Sequence, residues 1–143
     1  MATLTQEIVE QLHASALDAA QHAYAPYSGF RVGCSLLFDD GQIVSGCNVE
    51  NVSYSLTICA ERSALVRAIA ESGANRKIAA VMVTNLNQAA SNPCGACLQM
   101  LSEFTTPETR VYFSNGSEIV QKPFTDLLPC AFSIWTKETN ARG

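Results

Sequence analysis

The chain has no apolar run approaching the roughly 20 residues that a membrane-spanning helix needs, and no block of Lys or Arg that could track a phosphate backbone. The first absence excludes a spanning helix. Nine basic residues against thirteen acidic ones give a formal charge of −4, so nucleic acid is not an expected partner. The N-terminal stretch MATLTQEIVEQLHASALDAAQ carries acids where a secretory signal needs a basic region and then an apolar one. The chain therefore reads as cytoplasmic. Histidine is scarce: His13 and His22 are the only two, and their spacing is not that of metal ligands. There is no internal repeat, low-complexity segment or linker, so residues 1–143 are expected to form a single domain. After Trp135 the sequence turns polar, and about the last eight residues are expected to be loose.

What is present suits a globular core: 48% of the residues are hydrophobic. Ile8, Leu12, Ala16, Ala19, Ala20 and Ala23 recur on one helical face, which predicts a helix over 3–24, capped by Thr3 or Thr5 and ended by Pro26. FRVGCSLLF and QIVSGCNVE read as two strands joined by a turn in which Gly41 can take positive φ. CAERSALVRAIAES predicts a helix stopped by Gly73. The run IAAVMVT, 78–84, suits a strand buried on both faces, and CGACLQMLSEF supplies a short helix. Asn115-Gly116 joins RVYFS and EIVQ in a hairpin, and FTDLL adds a helical turn. This order predicts an α/β fold, a three-layer α/β/α sandwich around a mixed five-stranded sheet.

Six cysteines could be disulfide partners, but a chain of this size does not need such staples and their spacing is uneven. Cys94 and Cys97, three apart at a predicted helix start, project from one face and can share a metal ion. A redox dithiol and a pair of small buried thiols remain open on that spacing alone. Cys59 stands at another predicted helix N-terminus, where the dipole favours a thiolate. If the two helices start side by side, three thiolates meet, and three protein ligands leave the fourth tetrahedral position of Zn²⁺ open to water. A structural site would need a fourth ligand; Cys34, Cys47 and Cys130, on or near core segments, are poor candidates. Glu61, two residues past Cys59, points to another side of the helix and so is not a ligand, but it can reach a water held there as general base and acid.

C-A-E at 59–61 followed by P-C-G-A-C at 93–97 resembles the zinc-dependent cytidine deaminases. AYAPYSGFRVGCSLL, GCNVENVSYSLTICAERSAL, NPCGACLQM, SEF and LLPCAFS extend the likeness, in order, to the small homotetrameric enzymes of free-nucleoside salvage, over about residues 20–133. The resemblance implies hydrolysis of cytidine and deoxycytidine to uridine and deoxyuridine plus ammonia. In this chemistry a metal-bound hydroxide attacks C4, and Glu61 shuttles protons. It further implies that Phe30 packs near the pyrimidine, that Asn48 and Glu50 bind the ribose hydroxyls, and that the Ala60 N–H meets the base carbonyl. Tyr54 and Phe132 resemble residues that reach a neighbouring subunit's site. Arg62 resembles the guanidinium that offsets the negative charge of the sulfurs.

Two positions depart from the family's pattern. Leu98 stands where an arginine is common, leaving Arg62 alone beside the sulfurs, and Cys130 stands where a glycine is common, two residues before Phe132. Deamination of another aminopyrimidine nucleoside, such as blasticidin S, is a rival that NVENVSY disfavours by suiting unmodified ribose. Polynucleotide editing fits poorly with the acidic chain.

Overall fold

The computed structural model describes residues 3–134. The first helix, α1 (Gln6–Ala20), starts where Thr5 Oγ1 accepts the Ile8 N–H at 3.2 Å, and it buries Leu12, Ala16, Ala19 and Ala20. It stops short of the expected residue 24 because tertiary pairing wins over helix propensity. The Tyr24 N–H donates to Asn48 O at 3.1 Å and the Glu50 N–H to Tyr24 O at 2.8 Å, drawing this stretch against the segment around Val49 in an isolated parallel bridge. His22 consequently lies beyond the helix.

Then follow β1 (Val32–Phe38), β2 (Ile43–Cys47), a 3₁₀ turn (Tyr54–Leu56), α2 (Ala60–Ser72), β3 (Ile78–Asn85), α3 (Gly95–Ser102), β4 (Thr105–Ser114), β5 (Ile119–Pro123) and α4 (Phe124–Leu127). The sheet order is β2-β1-β3-β4-β5; β3 and β4 pair in parallel and the other neighbours are antiparallel. The expected mixed five-stranded sheet is therefore present.

Helices cover both faces of it. Leu37, Ala79 and Met82 pack under Leu12 and Ala16 of α1. On the opposite face Cys34, Leu36, Phe38, Val81 and Val83 pack against Ala64, Leu65 and Ala68 of α2 and Leu98 and Leu101 of α3. Successive β1 residues thus serve alternate layers, as the strand period requires. Two glycines set the spacing between layers. A Cβ on Gly33 would overlap the backbone carbonyl of Ala16, and one on Gly46 would overlap the backbone of Ala64.

The topology also decides where the chemistry sits. Both β2 and β3 run antiparallel to β1, so β2, β3 and β4 point the same way, and α2 and α3 are the two crossovers between them. Each crossover helix begins beyond the carboxyl end of its preceding strand, where open α/β sheets bind ligands. The N-termini of α2 and α3 are thereby set side by side. At the other end of the sheet the Arg76 guanidinium lies 4.1 Å from the centre of the Phe38 ring and donates to Ala68 O at 3.0 Å, tying the end of α2 to the β1–β2 hairpin.

One local difference from the sequence reading has a clear cause. β4 begins at Thr105, five residues before the expected RVYFS, although Pro107 lies in the extension. Thr109, fully buried, donates its hydroxyl to Ile78 O at 2.6 Å beside a break in the β3–β4 register, so the proline sits where the ladder is already irregular. Cys130 is exposed rather than near the core. The tail expected to be loose, about residues 136–143, lies outside the described residues.

Candidate active site

Cys59 is the N-cap residue of α2 and Cys94 that of α3, and Cys97 lies in the first turn of α3. The Cys94 sulfur accepts the Cys97 N–H at 3.5 Å, the capping role that an oxygen usually fills. The sulfurs of Cys59 and Cys94 are 3.9 Å apart and those of Cys94 and Cys97 3.4 Å, with all three within 4.8 Å of one another. Tetrahedral Zn–S bonds of about 2.3 Å place sulfurs about 3.8 Å apart, so the three side chains fit the ion. Among the described residues this is the one cluster of its kind.

The electrostatics are those of a thiolate centre. Hydrogen bonding from the Cys97 thiol, helped by Arg62, draws Cys59 down to about 5 against the cost of its burial. Cys97 moves the other way, upward, because it donates to Cys59 and is itself buried. Arg62 Nη2 stands 3.7 Å from the Cys59 sulfur and donates to Thr57 O at 3.3 Å. It is the cation expected beside the sulfurs. Leu98, in the position where an arginine was the alternative, is buried in the core against α2.

Glu61, only 4% exposed, is the second residue of α2, and its Oε2 lies 3.7 Å from the Cys97 sulfur. It sits beside the cluster rather than within it, as its helical offset from Cys59 requires. Burial pushes its carboxyl up to about 7, with its own backbone N–H opposing. A carboxyl poised there can take up and release protons near neutral pH.

The cluster opens into a cavity of about 270 Å³ lined by Phe30, Asn48, Glu50, Tyr54, Ala60 and Glu61, together with Cys59 and Cys94. Ala60 opens α2, where backbone N–H groups have no helical partner, so its donor is available to a ligand. The expected ribose pair is already engaged with protein. Asn48 Oδ1 accepts the Val32 N–H at 2.9 Å and its Nδ2 donates to Phe30 O at 2.7 Å, leaving one amide hydrogen and one lone pair. Glu50 Oε1 accepts the Tyr27 and Ser28 N–H groups at 3.0 and 3.1 Å, and Oε2 accepts the Ser28 hydroxyl. These bonds, the Ser28 hydroxyl first among them, hold the Glu50 carboxyl below its ordinary range. The Tyr54 hydroxyl reaches Oε2 at only 3.5 Å, a contact that a ligand hydroxyl can displace.

Phe132 does not line this cavity; it is 76% exposed. Gln99 holds it by the backbone, Nε2 donating to Phe132 O at 2.9 Å and Oε1 accepting the Phe132 N–H at 3.0 Å. Neither Gln99 nor Ser28 is singled out by the sequence reading. A serine before a glycine announces a turn and a glutamine on a helix announces nothing, so the signal for each lies in distant partners.

Residues 6–114 match the model of the family described as the cytidine and deoxycytidylate deaminase zinc-binding region. The cytidine deaminase of Halalkalibacterium halodurans is 41% identical over 125 residues, covering 87% of this chain and 93% of that protein. That of Mycobacterium tuberculosis is 42% identical over 123 residues, covering 86% and 88%. Among solved structures, the cytidine deaminase from Burkholderia pseudomallei superposes with a TM-score of 0.79 at 40% identity, covering 90% of this chain and all of that one. With the family's zinc-binding region spanning both cysteine-bearing helices, the chain belongs to the cytidine deaminase family.

Proposed function

We propose that this chain is a zinc-dependent cytidine deaminase that hydrolyses cytidine and deoxycytidine to uridine and deoxyuridine plus ammonia, in pyrimidine nucleoside salvage. The observation that carries the reading is the buried Glu61 carboxyl beside three convergent cysteine sulfurs, with Glu61, Cys59 and Cys94 lining a nucleoside-sized cavity. Cys59, Cys94 and Cys97 hold the zinc, which when bound supplies a Lewis acid that lowers the pKa of a water molecule. Glu61 takes the proton from that water as its oxygen bonds to C4 of the base, and delivers it to N3. It then moves the proton of the new C4 hydroxyl to the amino nitrogen, so that the C–N bond breaks, ammonia leaves and C4 becomes a carbonyl. No net proton stays on the carboxylate, which is ready for the next substrate.

The other lining residues bind and orient. Phe30 packs on the pyrimidine, the Ala60 N–H donates to the base carbonyl, and Asn48 and Glu50 take the ribose hydroxyls with the valences that protein contacts leave free. Arg62 offsets the surplus negative charge of the sulfurs. In this reading residues 1–143 are one domain, and the chains assemble as a homotetramer with shared sites. The apolar exposure supports assembly: Val52, Leu56, Phe132 and Ile134 are 81%, 62%, 76% and 65% exposed. Phe132 is assigned to a neighbour's site, and Tyr54, 57% exposed at the rim of its own cavity, to the shared rim.

The assay is the ultraviolet change on incubating the zinc-loaded protein with cytidine, deoxycytidine and blasticidin S in parallel. Turnover of the two nucleosides with the antibiotic unchanged is expected; turnover of the antibiotic alone contradicts the reading.

A further inference from the structure

Phe30 lies in no helix or strand, yet the backbone on either side of it is fully engaged. In the peptide before it, Gly29 O accepts from Asn87 Nδ2 at 2.9 Å and the Phe30 N–H donates to Ser28 Oγ at 3.0 Å. In the peptide after it, Phe30 O accepts from Asn48 Nδ2 at 2.7 Å and the Arg31 N–H donates to Asn87 Oδ1 at 3.0 Å. Asn87 alone therefore brackets Phe30, one amide holding the carbonyl before it and the N–H after it. Every one of these partners is a side chain, so sequence identity rather than regular structure fixes this aromatic.

Asn87 is itself held in place. Asn85, 8% exposed at the end of β3, accepts the N–H groups of Asn87 at 2.9 Å and Ala89 at 3.2 Å on Oδ1 and donates to Ala89 O at 2.7 Å. Between them Gln88 takes φ 54, the one non-glycine residue with positive φ among those described. The Leu86 N–H donates to Arg31 O at 3.0 Å, a further tie between the same two segments. The segment then runs through Asn92 and Pro93 to the sulfur of Cys94, so the loop that brackets Phe30 also carries a residue of the metal cluster.

We propose that Asn87 is a positioning residue that sets the distance of the Phe30 ring from the metal cluster and so the affinity for the pyrimidine. The proposal rests on the reading that Phe30 packs on the base. A contact with the unreacting face of the ring is made alike in ground state and transition state, so its loss falls on KM rather than kcat.

The test compares Asn87→Ala, Phe30→Ala and the double variant in the zinc-loaded full-length protein. Readouts are KM and kcat for cytidine, the thermal midpoint, and hydrogen exchange at the Arg31 amide. With Asn87→Ala, KM is expected to rise on the order of tenfold, the scale of two modest hydrogen bonds, with kcat within about twofold. The thermal midpoint should move by less than about 3 °C, since Asn87 is exposed, and the Arg31 amide should exchange at least about tenfold faster. In the Phe30→Ala background the same substitution should change KM by less than about twofold, because the ring it positions is gone. An unchanged KM in Phe30→Ala overturns the reading of Phe30, and the proposal with it. A raised KM in Phe30→Ala with an unchanged KM in Asn87→Ala overturns the role of Asn87 alone. So do multiplying effects in the double variant, or a fall in kcat and thermal midpoint together, which marks Asn87 as merely structural.

Discussion

The carboxylate of Glu50 both folds a loop and faces the cavity, and the two roles have one pH signature. Hydrogen bonds from Ser28 and Tyr27 favour its charged form and hold its pKa below the ordinary 4.5. A depressed carboxyl contributes stability that is fully present above the unfolded value and is lost as pH falls through the folded one. The thermal-midpoint difference between wild type and Glu50→Gln should therefore be constant from neutral pH down to about pH 5, and should shrink as pH falls below the ordinary glutamate range. A difference that widens on acidification contradicts the assignment. Comparing the two proteins at each pH removes the effects of acidification that they share. Cys59, Cys94, Cys97 and Glu61 were legible in the sequence, because their helical positions allow the three sulfurs to converge with the carboxylate offset from them, and the family resemblance then names the metal. The engagement of Asn48 and Glu50 by the Phe30 loop was not legible, because it depends on residues some 20 positions away that only the fold brings near.

Among the elements, the meeting of α2 and α3 follows from two parallel crossovers, and its precision from close backbone contact. Gly46 lets α2 lie directly on β2, and any side chain there meets the backbone of Ala64, which cannot swing aside as a side-chain tip can. Gly46→Ala is expected to lower stability by more than about 2 kcal/mol and to loosen the cluster of three cysteines that α2 and α3 present. Denaturant unfolding measures the first effect, and zinc release to a chelator the second. Unaltered stability would contradict the close apposition of β2 and α2 at Gly46. Strands and helices with strong periodicity were readable, including the fully buried β3 and the α2 stop at Gly73, where φ is 75. The early end of α1 and the early start of β4 were not, since each is decided by a backbone bridge or a buried threonine hydroxyl rather than by local propensity.

For the whole molecule, the exposed apolar surface and the outward Phe132 are the features that one chain leaves unexplained. If a neighbour's cavity receives Phe132, light scattering should report a tetramer. Gln99→Ala, which frees the Phe132 backbone, should then raise KM severalfold with little change in the folding of its own cavity. A fully active monomer contradicts the shared site. Nothing in the sequence apart from the resemblance points to this assembly, because exposure of apolar residues is a property of the folded surface and not of the pattern that forms it.

The central claim, that Glu61 moves protons for a reaction at the zinc held by Cys59, Cys94 and Cys97, is most directly tested by Glu61→Gln, which keeps the shape and removes the titrating group. Zinc content and cytidine turnover are measured on the same preparations. The expected result is stoichiometric zinc in both proteins, with turnover in the variant lower by at least about 10²–10⁴-fold, the range of general acid–base catalysis. Full turnover by zinc-loaded Glu61→Gln, or none by the zinc-loaded wild type, would contradict the account.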